Sequence, residues 1–151
     1  MELLYTYKEL GNNGRFGNCL FQIAATLGIA KKNGVKACFP IVYNDIFKNQ
    51  LSPCNESITH QYSEPWFHYN EINEEHTYLV KHDSEKTVVN LHGYFQSEKY
   101  FEHCKEEIKQ QFEFSDTIKK SCSIIIKEIK QTNPNKIIVS LHLRFGDYVD
   151  N

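Results

Sequence analysis

Arginine is scarce in this sequence, and both copies sit close to glycine. Of 17 lysines and arginines, only Arg15 and Arg144 are arginine. A guanidinium is a planar, permanently charged fork that meets phosphate oxygens in pairs, which an ammonium cannot imitate. Arg15 lies in Gly11-Asn12-Asn13-Gly14-Arg15-Phe16-Gly17-Asn18, a stretch rich in residues that tolerate positive φ. A glycine-rich turn that opens a helix offers free N–H groups and the positive end of the helix dipole to an anion. The same composition also describes a plain turn. Gly14 and Gly17 do not have the G-x-G-x-x-G spacing, and no Lys-Ser/Thr pair completes a P-loop. Arg144 belongs to Val139-Ser140-Leu141-His142-Leu143-Arg144-Phe145-Gly146-Asp147-Tyr148-Val149. On a strand His142 and Arg144 share one face, Gly146 lets backbone approach a ligand, and Asp147 can orient or deprotonate a neighbour. A strand edge with a salt bridge has the same look. A third stretch, Leu91-His92-Gly93-Tyr94-Phe95-Gln96-Ser97-Glu98-Lys99-Tyr100-Phe101, puts a turn and several aromatics at a strand end. Open α/β sheets bind ligands there, although helix entry and aromatic packing account for the pattern as well.

Elements that could position these residues alternate along the chain. Leu3–Tyr7 predicts a first strand. Leu20, Phe21, Ile23, Ala24, Leu27 and Ala30 recur at helical spacing and predict a helix over Cys19–Lys32, capped by Asn18 and stopped at Asn33-Gly34. Val35–Phe39 completes a βαβ unit and hence a parallel crossover. Residues 40–84 hold Pro53, Pro65, many Asn and Glu, and the aromatics Tyr62, Trp66, Phe67 and Tyr69, which suggest irregular structure with short helices. Thr87–His92 predicts another strand, Ser97 the cap of a helix over Glu98–Phe112, and Asp116–Gln131 an amphipathic helix whose apolar face carries Ile118, Cys122, Ile125, Ile126 and Ile129. Thr132-Asn133-Pro134-Asn135 ends it, and Lys136–Leu143 reads as a buried strand. The expected fold class is α/β, a Rossmann-like layered domain with a mainly parallel sheet, formed by residues 1–151 as a single domain.

Composition narrows the function classes. With 151 residues, 40% hydrophobic and 24% charged, the chain can build one real core. A net charge of −2 gives no field for nucleic acid. Cys19, Cys38, Cys54, Cys104 and Cys122 are odd in number, widely spread and without a C-x-x-C pair, which argues against a disulfide framework and a zinc site. The N-terminal residues show no long apolar run, and about 18 consecutive apolar residues occur nowhere, so no transmembrane segment is expected. The expected location is cytoplasmic, with peripheral membrane association left open.

In this order the three motif stretches resemble glycosyltransferase family 11, the α-1,2-fucosyltransferases. That family carries a G-N-Q-x-F-Q-Y-A-like start, a G-Y-F-Q-S-x-x-Y-F segment and a later H-x-R-R-G-D-Y. The resemblance spans about Gly11 to Val149 and implies one part of a GT-B-type glycosyltransferase. It implies transfer of L-fucose from GDP-fucose to the 2-hydroxyl of a galactoside with inversion, without metal or other cofactor. By the same resemblance Arg144 meets the donor diphosphate together with Gly146 and Tyr148. Arg15 and Asn18 border the cleft, and Asp147 and His142 are the catalytic candidates. Two positions depart from the family pattern: Cys19 stands where it has Gln, and Phe145 where it has the second Arg. Family members also continue well beyond the third motif, so the donor-binding half is expected to be incomplete, and a missing second half would be a partner. A non-catalytic remnant or binding module is the alternative. An unrelated α/β phosphate-binding protein is a third reading, in which the pocket would lie away from His142.

Overall fold

The computed structural model describes residues 2–40, 43, 45–64 and 86–143. They fall into two compact units, Met1–Ser115 and Asp116–Asn151.

The first unit is built on a four-stranded sheet in the order β2-β1-β4-β3, with β1 at Glu2–Thr6, β2 at Lys36–Cys38, β3 at His60–Ser63 and β4 at Lys86–His92. Every pairing is parallel. Tyr5 lies opposite Ala37 on one side and Val89 on the other, and Tyr62 lies opposite Leu91. Parallel strands need crossovers, and the first is the helix α1, Phe16–Lys32. Alternation along the strands separates two faces. Tyr5, Tyr7, Val89 and Leu91 pack with Cys19, Ile23, Ile29 and Ala30 of α1 in the main core. Leu4, Cys38 and Val88 form a smaller cluster with Cys54. Each large apolar side chain fully buried there contributes roughly 1.5–3 kcal/mol.

The parallel α/β architecture is the one the alternating pattern predicts, and β1, α1, β2 and β4 lie where they are expected. The helix begins at Phe16, and Arg15 occupies its N-cap without a side-chain capping bond. Asn18 therefore sits in the first turn, and the cap expected of it is not made. At the other end Asn33 is the C-cap, its amide nitrogen Nδ2 donates to the Ile29 carbonyl, and Gly34 follows at φ +66.

The helix expected over Glu98–Phe112 is broken into two single 3-10 turns, Glu98–Tyr100 and Glu102–Cys104, followed by α2 at Lys105–Gln111. Ser97 does cap the first turn, accepting from the Lys99 N–H. The break falls at Phe101, whose φ of −139 is not helical, where the chain lies directly against Gly28 of α1. β3 was not expected. Its residues are mostly exposed and polar, so an edge strand held through backbone bonds left no apolar signal. Trp66, Phe67 and Tyr69 lie outside the described residues.

The second unit holds the helix α3, Asp116–Thr132, as the amphipathic pattern predicts. None of its residues is buried, and Ile124, Ile125, Ile126 and Ile129 are exposed. The strand expected at Lys136–Leu143 is not formed. This segment pairs with no strand among the described residues, and Ile137, Val139 and Leu141 are 92%, 82% and 79% exposed. An apolar, β-branched run favours a pleated surface, but a ladder needs a neighbour that local propensity cannot supply. Among the described residues no helix is long and apolar enough to cross a membrane.

Candidate functional site

In the order β2-β1-β4-β3, connections lead from β1 to β2 on one side while β4 and β3 lie on the other. The crevice beyond the C-terminal ends of β1 and β4 is the switch point, where sheets of this kind bind ligands. The loop from β1 into α1 and the turn after β4 leave from these two adjacent strand ends. They carry the first and second motif stretches.

Side chains tie the two together. Tyr7, buried just past β1, donates its hydroxyl to the Gly93 carbonyl at 2.5 Å and accepts from Asn13 Nδ2 at 2.9 Å. Burial pushes the Tyr7 hydroxyl above its ordinary pKa against the lowering effect of these bonds, so it stays a neutral donor. Gln96 Nε2 donates to Asn18 Oδ1 at 2.7 Å. Gln22, fully buried one turn further along α1, donates its Nε2 to the Asn13 carbonyl at 2.7 Å and so anchors the loop from below. Gly14 has φ +97, and a Cβ there would come within 2.3 Å of the Asn18 amide nitrogen. Glycine at this position leaves Asn18 room to reach Gln96.

The turn after β4 has its own clamp, which the motif stretches did not include. Glu64, directly after β3, accepts from the Phe95 N–H through Oε2 at 2.7 Å and from the Tyr100 hydroxyl through Oε1 at 2.8 Å. Phe95 is fully buried, against Tyr7 and Tyr100 edge to face, and holds φ +52, a conformation uncommon for a non-glycine residue. One carboxylate bond and two ring contacts hold it there, and the second carboxylate bond fixes Tyr100 against it. The Tyr100 hydroxyl is driven strongly upward in pKa, first by burial and then by its bond to Glu64. Glu64 was readable only as one acidic residue among many, because its partners lie 31 and 36 residues away.

Among the expected site residues, Arg15 is exposed at the α1 N-terminus and Asn18 is in the first turn beside it. With no side chain capping α1, its first-turn N–H groups and the Arg15 guanidinium give this edge a positive character suited to anionic oxygen. Cys19, one of the two departures from the family pattern, is fully buried and accepts a hydrogen bond from the Tyr43 hydroxyl at 3.3 Å. That departure therefore concerns packing inside the unit rather than the crevice. His142 is exposed in the second unit, within the Lys136–Leu143 segment that pairs with no described strand. Arg144, Phe145, Gly146, Asp147 and Tyr148 lie outside the described residues. Among the described residues no group of three or more His, Cys, Asp and Glu is placed to hold a metal ion.

Sequence comparison with known proteins identifies relatives of the chain. The chain is 28% identical over 144 residues to Galactoside alpha-(1,2)-fucosyltransferase 2 of Hylobates lar, covering 90% of this chain and 40% of that protein. It is 28% identical over 151 residues to Galactoside alpha-(1,2)-fucosyltransferase 1 of Rattus norvegicus, covering 91% and 37%. It thus spans about two fifths of the length of the curated relatives it matches. No solved structure matches it significantly. The pattern of the family described as Glycosyl transferase family 11 matches residues 3–151, and the chain belongs to that family.

Proposed function

We propose that this chain is part of an α-1,2-fucosyltransferase that moves L-fucose from GDP-fucose to the 2-hydroxyl of a galactoside with inversion. The observation that carries the reading is the hydrogen-bonded meeting of two family motifs at the switch point of a parallel sheet. The names of the relatives supply the substrate class. In an inverting transfer the acceptor oxygen attacks the anomeric carbon as its bond to the diphosphate oxygen breaks. A base takes the hydroxyl proton, and fixed positive charge stabilises the departing GDP. In this reading Arg144 meets the diphosphate, with Gly146 and Tyr148 beside it. Asp147 is the base candidate and His142 its neighbour. Arg15, Asn18 and the first-turn N–H groups of α1 are assigned to the donor cleft, where they supply positive charge without a metal.

The same reading takes residues 1–151 as one α/β portion of a longer transferase whose donor-binding half is incomplete here. Much of the rate enhancement of a transferase comes from holding two substrates together, and a pocket lacking a wall forfeits that. The exposed apolar residues of α3 and of Ile137–Leu143 favour a second reading of the isolated chain, a binding module without turnover. Calorimetry with GDP and a fucose-transfer assay on lactose separate the two. Weak GDP binding that Arg144→Ala abolishes, with no fucosyl-lactose formed, fits a fragment that keeps its donor contacts. Robust fucosylation by the chain alone overturns the incomplete-half reading, and absence of GDP binding overturns the donor site.

A further inference from the structure

Cys38 and Cys54 are the one pair among the five free cysteines that share a core cluster. Cys38 ends β2 and is buried, and Cys54 packs against the group it forms with Leu4 and Val88. Backbone bonds fix this approach. The Phe39 N–H donates to the Ser52 carbonyl and the Cys54 N–H to the Phe39 carbonyl, both at 2.8 Å, so residues 52–54 run parallel to the end of β2. In that register residues 38 and 54 project to the same side. The strap then continues over the second face of the sheet to Thr59, whose N–H donates to the Val88 carbonyl at 3.0 Å.

Access differs between the two thiols. Cys54 is half-buried and lines an open cavity of about 570 Å³ with Thr6, Lys8, Glu56 and Ile58. Cys38 is buried, 5% exposed, and borders a separate open cavity of about 440 Å³ with Leu4, Ser52 and Pro53. Burial first, and then its hydrogen bond with Cys54, pushes the Cys38 thiol up to about 12. Cys38 therefore stays a thiol at neutral pH and is a poor first target. It becomes reactive only when its partner sulfur has been made electrophilic.

We propose that Cys38 and Cys54 form a redox pair that a small-molecule disulfide such as oxidised glutathione closes into a cystine, stapling the 52–59 strap to β2. The Cys54 thiolate attacks one sulfur of oxidised glutathione, forming a mixed disulfide and releasing one glutathione thiolate. Cys38 then gives up its proton and attacks the Cys54 sulfur, expelling the second glutathione. Two protein thiols lose two electrons and two protons, and one glutathione disulfide becomes two glutathione thiols. The staple closes a loop of roughly 15 residues, a length at which loss of unfolded-state entropy is substantial.

The test treats the whole chain with oxidised glutathione and then digests it with trypsin without reduction. Cleavage after Lys48 places the two cysteines in separate peptides. The expected result is a linked pair containing Cys38 and Cys54, a protein mass lower by two hydrogens, and a Tm raised by about 5–10 °C that dithiothreitol reverses. Cys54→Ser abolishes the linked pair and the Tm rise, while Cys122→Ser changes neither. A glutathione adduct that stays on Cys54, crosslinking through Cys122 in its place, or an unchanged count of free thiols overturns the proposal. The wild-type peptide map decides even if the Cys54 variant folds poorly.

Discussion

Gln96 donates its side-chain amide to the Asn18 carboxamide oxygen at 2.7 Å across 78 residues of sequence. The bond joins the loop after β1 to the turn after β4, and it allows charge to be separated from shape. Asn18→Asp keeps an acceptor for Gln96 and adds a negative charge to the first turn of α1, which favours the helix by about 0.3–1 kcal/mol. The same charge opposes an anionic ligand in the crevice. The expected outcome is an unchanged or slightly raised Tm with GDP affinity lowered about tenfold or more, read by calorimetry. Equal GDP binding by the variant would place the diphosphate elsewhere.

Glu64 should behave as the clamp of the turn that carries Gln96. Glu64→Ala leaves the Phe95 N–H and the Tyr100 hydroxyl without their acceptor, at an expected cost of about 2–4 kcal/mol in denaturant unfolding. Glu64→Gln can accept from Phe95 through its carbonyl and donate to the Tyr100 oxygen, so it should cost about 1 kcal/mol or less. Near-equal losses for the two variants would show that the side chain acts through bulk rather than through its bonds.

Gly28→Ala should destabilise despite the better helix propensity of alanine. An added methyl would lie 2.3 Å from the Tyr100 carbonyl oxygen and 2.8 Å from the Phe101 Cα, both backbone atoms. Alanine gains about 1 kcal/mol of helix propensity, whereas forcing backbone apart in a packed region costs about 1–3 kcal/mol or more. A net loss of stability is expected by chemical denaturation, and a net gain would mean that the 3-10 turns are free to slide off α1.

Alkaline pH should unfold the first unit early. The Tyr7 and Tyr100 hydroxyls are both shifted upward in the folded state, chiefly by burial, so folding favours their neutral forms. That contribution is fully present below the unfolded tyrosine pKa of about 10 and is lost as pH rises beyond it. Tm measured against pH should fall from there upward, and Tyr100→Phe should flatten the fall. A curve of the same steepness in Tyr100→Phe would assign it to other groups.

The sequence made the parallel α/β plan legible because local periodicities, 3.6 for α1 and runs of β-prone residues for β1 and β4, coincided with what the core demands. It also marked both loops that meet at the switch point. Their linkage was not legible: Tyr7 with Gly93, Asn18 with Gln96 and Glu64 with Phe95 are contacts over long separations between polar residues with no period. Asn18 illustrates the limit. Its residue type suits a cap, yet the helix starts earlier at Phe16 and the side chain finds Gln96 instead. Lys136–Leu143 illustrates the opposite error, where a strong strand pattern lacks a described partner strand.

Ile137-Ile138-Val139-Ser140-Leu141-His142 has consequences for handling the protein. The window is rich in β-branched residues, holds no Asp, Glu, Lys or Arg and is free of proline, and Ile137, Val139 and Leu141 face solvent. Such hexamers stack readily into cross-β zippers when several copies meet. The isolated chain should therefore precipitate at high concentration with fibrillar, dye-binding material. A single charge introduced as Val139→Lys should act as a gatekeeper that raises the soluble yield without altering Tm.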